Sequence, residues 1–155
     1  MRLPLSIVLG LTLAVAVIAD AQAPTLADRA AAIDRVLTQP EGYRVVVGHI
    51  SRELGIVVDT LRAQHAQTGL SWGEILVAHR VAREAKVSFD QIAAEYRTGK
   101  SWEDLARDHK VDLQKITAAI QRSQRVVEQR AEDKAPPPTV GTPSVAPPGV
   151  PDRRY

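Results

Sequence analysis

Two segments set thirty residues apart constrain this chain more than any other feature. Thr68–Val81 reads TGLSWGEILVAHRV, and Thr98–Val111 reads TGKSWEDLARDHKV. Each opens Thr-Gly-x-Ser-Trp and closes on a His, a basic residue and a Val in the same register. Glycine tolerates the left-handed conformation that ends a helix. Serine with an acid three residues later caps the next one, because side chain and backbone satisfy each other's free groups. Each segment therefore spells a joint between two helices, and a chain that uses the joint twice is built by repetition.

A second register extends the repeat. Ile50–Arg62, ISRELGIVVDTLR, lies over Leu105–Thr117, LARDHKVDLQKIT, without gaps. Ile50 meets Leu105, Glu53 meets Asp108, Ile56 meets Val111, Val58 meets Leu113 and Leu61 meets Ile116. The Trp72 region supplies the third copy, with about six residues inserted before VSFDQI, so that Phe89 meets Leu113 and Ile92 meets Ile116. The unit is a short helix, a turn carrying a small β-branched residue, and a second helix. One such pair cannot bury its apolar faces alone, whereas stacked copies share a core.

The remaining punctuation agrees. Thr25 with Asp28, Ser71 with Glu74, Ser88 with Gln91 and Ser101 with Asp104 fit N-terminal caps, Asp112 is a simpler one, and Gly55, Gly69 and Gly99 fit helix ends. Apolar residues between these marks recur at three and four. Tyr43-Arg-Val-Val-Val-Gly-His-Ile50 is the best strand candidate, but Tyr43, Val46, Val47 and Ile50 also form a helical stripe. The expected fold is all-α, a small bundle of about seven short helices near 26–38, 42–54, 58–67, 72–85, 89–97, 102–109 and 113–132, made of three related helix-turn-helix units. The last helix is expected to dock at its start and project at its end. A domain of about 110 residues can bury roughly 65% of its unfolded surface, enough to fold without staples.

The two ends differ from this middle. Arg2 precedes an uncharged, mostly apolar run, Leu3–Ala19, followed by ADAQA. This is the layout of a secretory signal peptide, 1–21, cut between Ala21 and Gln22; a cut after Ala23 also fits, and an uncleaved anchor is the alternative. Export places residues 22–134 in the periplasm or outside the cell. Ala135–Tyr155 holds seven of the ten prolines and reads as a disordered, extended tail with polyproline II character. Charge is nearly balanced, 20 Lys and Arg against 18 Asp and Glu, without the concentrated basic field of a polyanion binder. No cysteine is present, which excludes disulfides, thiolate metal sites and cysteine nucleophiles.

Two resemblances follow from these residues. ISRELGIVVDTLR resembles the centre of bacterial DNA-binding helix-turn-helix modules, but Val57 and Val58 stand where those modules usually put a Ser cap and groove-facing polar residues, and no basic cluster follows. TGLSWGEILVAHRVA and SFDQIAAEYRTGKSWEDLARDHKV resemble small exported bacterial proteins built from repeated Gly-x-x-Trp-Gly-Glu-Ile helices, although Glu103 and Asp104 replace the second Gly-Glu. That likeness implies export and helical repeats, and no activity.

Candidate site residues are few. Trp72 and His79, like Trp102 and His109, are seven apart and share a helix face. They either line a groove for a partner or ligand such as a glycan or peptide, or the tryptophans plug the junctions between repeats. His49 and Glu53 have a usable two-ligand spacing, but no third ligand is evident, and no metal or cofactor is expected. No nucleophile elbow or phosphate loop occurs, and Ser71, Ser88 and Ser101 are explained as caps, so no catalytic residue is assigned. Glu53 and Glu84 fit surface pairs with nearby arginines. The expected role is a non-catalytic interaction or scaffold module of the cell envelope. Its partner would be an envelope protein or cell-wall component rather than nucleic acid, and it would touch the membrane only through the signal segment before cleavage. The alternative is a nucleic-acid-binding helix-turn-helix protein tethered by an uncleaved N-terminal helix.

Overall fold

The computed structural model describes residues 23–134; the expected signal segment, 1–21, and the expected tail, 135–155, lie outside the described residues. Seven α-helices follow in order: α1 (Leu26–Arg35), α2 (Gly42–Leu54), α3 (Val58–Thr68), α4 (Trp72–Ala85), α5 (Phe89–Arg97), α6 (Trp102–Asp108) and α7 (Leu113–Glu132). A 3-10 turn, Val36–Thr38, links α1 to α2, and no strand occurs among the described residues. Tyr43–Ile50 is helical throughout, with Val46, Val47 and Ile50 buried and Tyr43 at the edge, 43% exposed.

The helix starts are where the caps place them. Thr25 and Ser71 close reciprocal capping boxes with Asp28 and Glu74. Ser88, Ser101 and Asp112 each accept the backbone N–H three residues on. Gly69 and Gly99 end α3 and α5 at φ 71° and 95°.

The three units close with one turn. Gly55, Lys86 and Lys110 stand in the left-handed region at φ 70°, 57° and 56°. The next residue's N–H then reaches back to a carbonyl five positions earlier: Ile56 to Ser51 at 3.1 Å, Val87 to Ala82 at 3.0 Å and Val111 to Ala106 at 2.7 Å. Behind each turn sits one buried residue of each second helix, Leu61, Ile92 or Ile116. The β-branched residue of the sequence repeat is the one that makes the returning bond.

Helix α4 is the axis of the bundle. It is twice the length of α6, 14 residues against 7. It buries Trp72, Gly73, Ile75, Leu76, Val77, Ala78, Val81 and Ala82, leaving no broad polar face, and it touches every other α-helix. A helix apolar on most sides must be surrounded. Helix α1 lies against it so closely that a Cβ at Gly73 would stand 2.2 Å from the Ala30 carbonyl oxygen.

The last helix departs from expectation. Val127 and Ala131 are buried, so α7 packs along its length rather than projecting. Its stripe of Ile116, Ile120, Ser123 and Val127 continues through a polar member because that serine has a buried partner.

Candidate functional site: two tryptophan stations, a shared carboxylate and an open face

Trp72 and Trp102 are the first residues of α4 and α6, each set by the serine cap before it. Both are core residues, 6% and 1% exposed. Trp72 meets Tyr43 edge-on at 5.7 Å between centroids and the tilted ring of His65 at 4.7 Å. His65 Nδ1 donates to the Leu70 carbonyl at 2.6 Å, which holds its ring against the indole. Trp102 instead stacks on Tyr96 at 3.9 Å and 11°. Its indole N–H is buried and meets no acceptor in good hydrogen-bond geometry. Tyr96 donates to Glu74 Oε1 at 2.7 Å, while the other oxygen of Glu74 serves the α4 cap. Burial, with that bond and the charge behind it, pushes Tyr96 up to about 12. One carboxylate thus joins the two stations.

The two histidines of the repeat part company. His79 lies in mid-α4, stacks on Phe89 at 4.3 Å and 18°, and faces Gln64 Oε1 at 2.9 Å. Burial, helped by the charge of Arg83, pushes it down to about 4, so it is neutral at ordinary pH. His109 is the C-terminal cap residue of α6, with Nε2 3.1 Å from both oxygens of Glu95 and Lys100 3.5 Å from the same carboxylate. Hydrogen bonds from Gln91 and His109 hold Glu95 below the usual carboxylate range. The structure pairs neither tryptophan with the histidine seven residues on. Ala21 and Gln22, the expected cleavage pair, lie outside the described residues.

A third cluster was not evident in the sequence. Glu53 reaches across the bundle to Arg80 of α4 and Ser123 of α7, whose hydroxyl donates to Oε2 at 2.6 Å. His49 Nε2 approaches the same oxygen at 2.6 Å, off the line a good hydrogen bond takes. Burial alone raises Glu53, but His49, Ser123 and Arg80 together outweigh it and hold the carboxyl at about 2. The expected surface pairs are thereby corrected. Glu53 is only 16% exposed and pairs with Arg80 rather than Arg52 or Arg62, and Glu84 pairs with Lys115 at 2.7 Å. The contacts join residues 27 and 70 positions apart, which no local spacing reveals. Ser123, 2% exposed, donates to Glu53 at 2.6 Å and lies 3.2 Å from the Ala119 carbonyl, so its hydroxyl is committed inside the bundle. Both oxygens of Glu53 are engaged, and among the described residues no three His, Asp or Glu side chains gather as a metal site would require.

What remains open is the face of α2 and α3. It carries two of the three large apolar side chains exposed among the described residues, Val57, 68% exposed, and Tyr43; the third is Leu113 at the start of α7. Between the helices runs a groove of about 180 Å³ lined by Tyr43, Arg44, Val47, Gly48, Val58 and Arg62. Tyr43 is a fixed wall: Arg62 Nε donates to its hydroxyl at 2.9 Å and lies 5.9 Å from its ring centroid. Compared with known family models, curated proteins and solved structures, the chain matches none.

Proposed function

We propose that this chain is an exported, non-catalytic interaction or scaffold module of the cell envelope, which receives an extended, proline-bearing polypeptide segment on its α2–α3 face. One observation carries the reading: an uncapped helix start and a mid-helix glycine stand on that face, and no packing within the bundle calls for either. Its sister turns cap the second helix with Ser88 and Asp112, but Val57 offers α3 no side-chain bond and stands exposed. The missing cap costs about 1 kcal/mol. Gly48, in mid-α2, costs about 1 kcal/mol more than alanine would. A Cβ there would touch only the flexible end of Arg52, so internal packing does not require the glycine. Unfavourable local choices gathered on one surface are what binding sites show.

The nucleic-acid alternative draws less support from the same helices. Helix α3 opens with an acid, Asp59, and the arginine of its first turns, Arg62, is engaged by Tyr43 and Asp59. No described helix is long and apolar enough to cross a membrane.

The test joins location to binding. The chain from a periplasmic or secreted fraction should begin at Gln22 or Pro24, and a photo-cross-linker at Val57 should capture a partner that one at Gln91 does not. The captured partner, once identified and purified, should bind at least tenfold more weakly to a folded Gly48→Leu variant, a difference of about 1.4 kcal/mol. Full-length chain confined to the cytoplasm, or equal binding by the variant, overturns the reading. A cell-wall glycan as the captured species would overturn the choice of a polypeptide.

A further inference from the structure

We infer that residues Ala135–Tyr155 of this same chain occupy the α2–α3 groove in the free protein, so that the docking face is masked until a partner displaces them. The inference rests on the reading above and adds its regulation.

The place where the described chain ends is the first argument. The start of α1 shares a hollow with Leu113–Gln121 of α7, and Asp28–Arg35 shares another with Gln124. The two helices therefore run side by side in the same direction. The second half of α7 continues past the end of α1 to the 3-10 turn, which packs on it and leads into α2. Lys134 thus lies at the pole of the bundle where α2 begins, and Tyr43 is the second residue of α2. Reach is ample. At about 3.1 Å per residue an extended segment of this length spans on the order of 60 Å, several times the radius of roughly 13 Å expected for such a bundle.

The chemistry of the segment is the second argument. It reads APPPTVGTPSVAPPGVPDRRY, and the first charged residue after Lys134 is Asp152. A run that carries no charge can enter an apolar groove without burying one. Proline-rich chain loses little conformational freedom on docking, because its extended form is largely set beforehand, and it recognises grooves walled by aromatic rings. Tyr43 is such a wall, buttressed edge-on by Trp72 and fixed by Arg62. Gly48 opens the floor beside Val47, and Val58 closes the far side. Gly48, which no packing in the bundle calls for, lines that groove, and the exposed Val57 directly precedes its Val58 wall.

The absence of native cysteine allows a clean test on the full chain. A nitroxide on Ser144→Cys should broaden the amides of Gly48, Val58 and Arg62 several-fold more than those of Gln91 and Lys100 on α5 and the turn after it. The effect should persist when labelled chain is diluted with unlabelled chain, and should vanish in Gly48→Leu, whose leucine fills the groove and favours the helix. Sharp groove amides, equal broadening on both faces, or broadening seen only between different molecules would each overturn the masking. The underlying reading fails separately. If the groove stays sharp while the Val57 cross-linker still captures a partner that Gly48→Leu releases, only the masking falls. If the groove is broadened and no captured partner restores the sharp signals, the interaction reading falls and the masking stands.

Discussion

Helices α4 and α6 begin with the same joint and end as different parts of the machine. In both, a glycine ends the preceding helix, a serine caps the next and a tryptophan enters the core. The difference begins one residue later, with Gly73 in one and Glu103 in the other. Gly73 sits where α1 crosses α4, and its N–H is capped by Asp34 of α1 at 2.9 Å. Glu103 instead accepts the N–H of Leu26, the first residue of α1, at 3.0 Å. Helix α1 therefore clasps both stations, giving a cap to one and taking a cap from the other. A repeated sequence set its joints alike, and a single position per copy adapted each joint to its neighbour.

The largest expected effect comes from emptying a station. Trp102→Ala should lower unfolding free energy by about 4 kcal/mol, and Trp72→Ala by about 3 kcal/mol because its edge already meets solvent. Denaturant titration of both variants measures this, and equal small losses would show that the stations are not core.

Next comes the position at which the copies differ. Gly73→Ala drives a Cβ into the Ala30 carbonyl, which backbone must move to relieve, and should cost about 3 kcal/mol. Glu103→Ala removes one cap and should cost about 1 kcal/mol. Equal losses would mean that the α1–α4 crossing is looser than the structure places it.

Acid separates the two regions by pH. His79 is held at about 4, below its ordinary 6.5, so the unfolded chain takes up its proton first. Stability should therefore fall as pH drops from about 6.5 to about 4 and level off below that, by a few kcal/mol in all. Glu53, depressed from 4.5 to about 2, contributes stability above 4.5 that is lost as pH falls through that lower interval. His79→Gln should abolish the upper loss and leave the lower one; Ser123→Ala should shrink the lower one. Unfolding curves between pH 7 and pH 2 read both.

The smallest effect is a gain. Lys86→Gly and Lys110→Gly replace side chains held in the left-handed region, and each should stabilise the protein by about 1 kcal/mol, making these turns match the one at Gly55. No gain would mean that the lysines' side-chain contacts offset the backbone strain.

The joints were legible in the sequence because capping is local. A serine and an acid three residues apart satisfy the same backbone groups wherever the helix lies, so Ser71 with Glu74 marked the start of α4 without reference to the rest. Period and repeat were legible for the same reason, down to the six-residue insertion that makes α4 long. The neighbours of each side chain were not. Glu53 reads as a surface residue among arginines, and only packing brings Ser123 to it from the far end of the domain. Tyr43 reads as part of a buried stripe, yet it faces outward because the groove beside it is left open.

The sequence by itself determined the helices, their ends and the threefold unit, since hydrogen bonds within one or two turns depend on nearby residues alone. Tertiary structure decided what the repeated residues became. Trp72 and Trp102 were drawn inside because burial of a large apolar surface outweighs any local preference. His79 and His109 diverged because one met a phenyl ring and the other a carboxylate. Between α2 and α3 a groove stayed open beside Tyr43, because Gly48 brings no side chain to fill it.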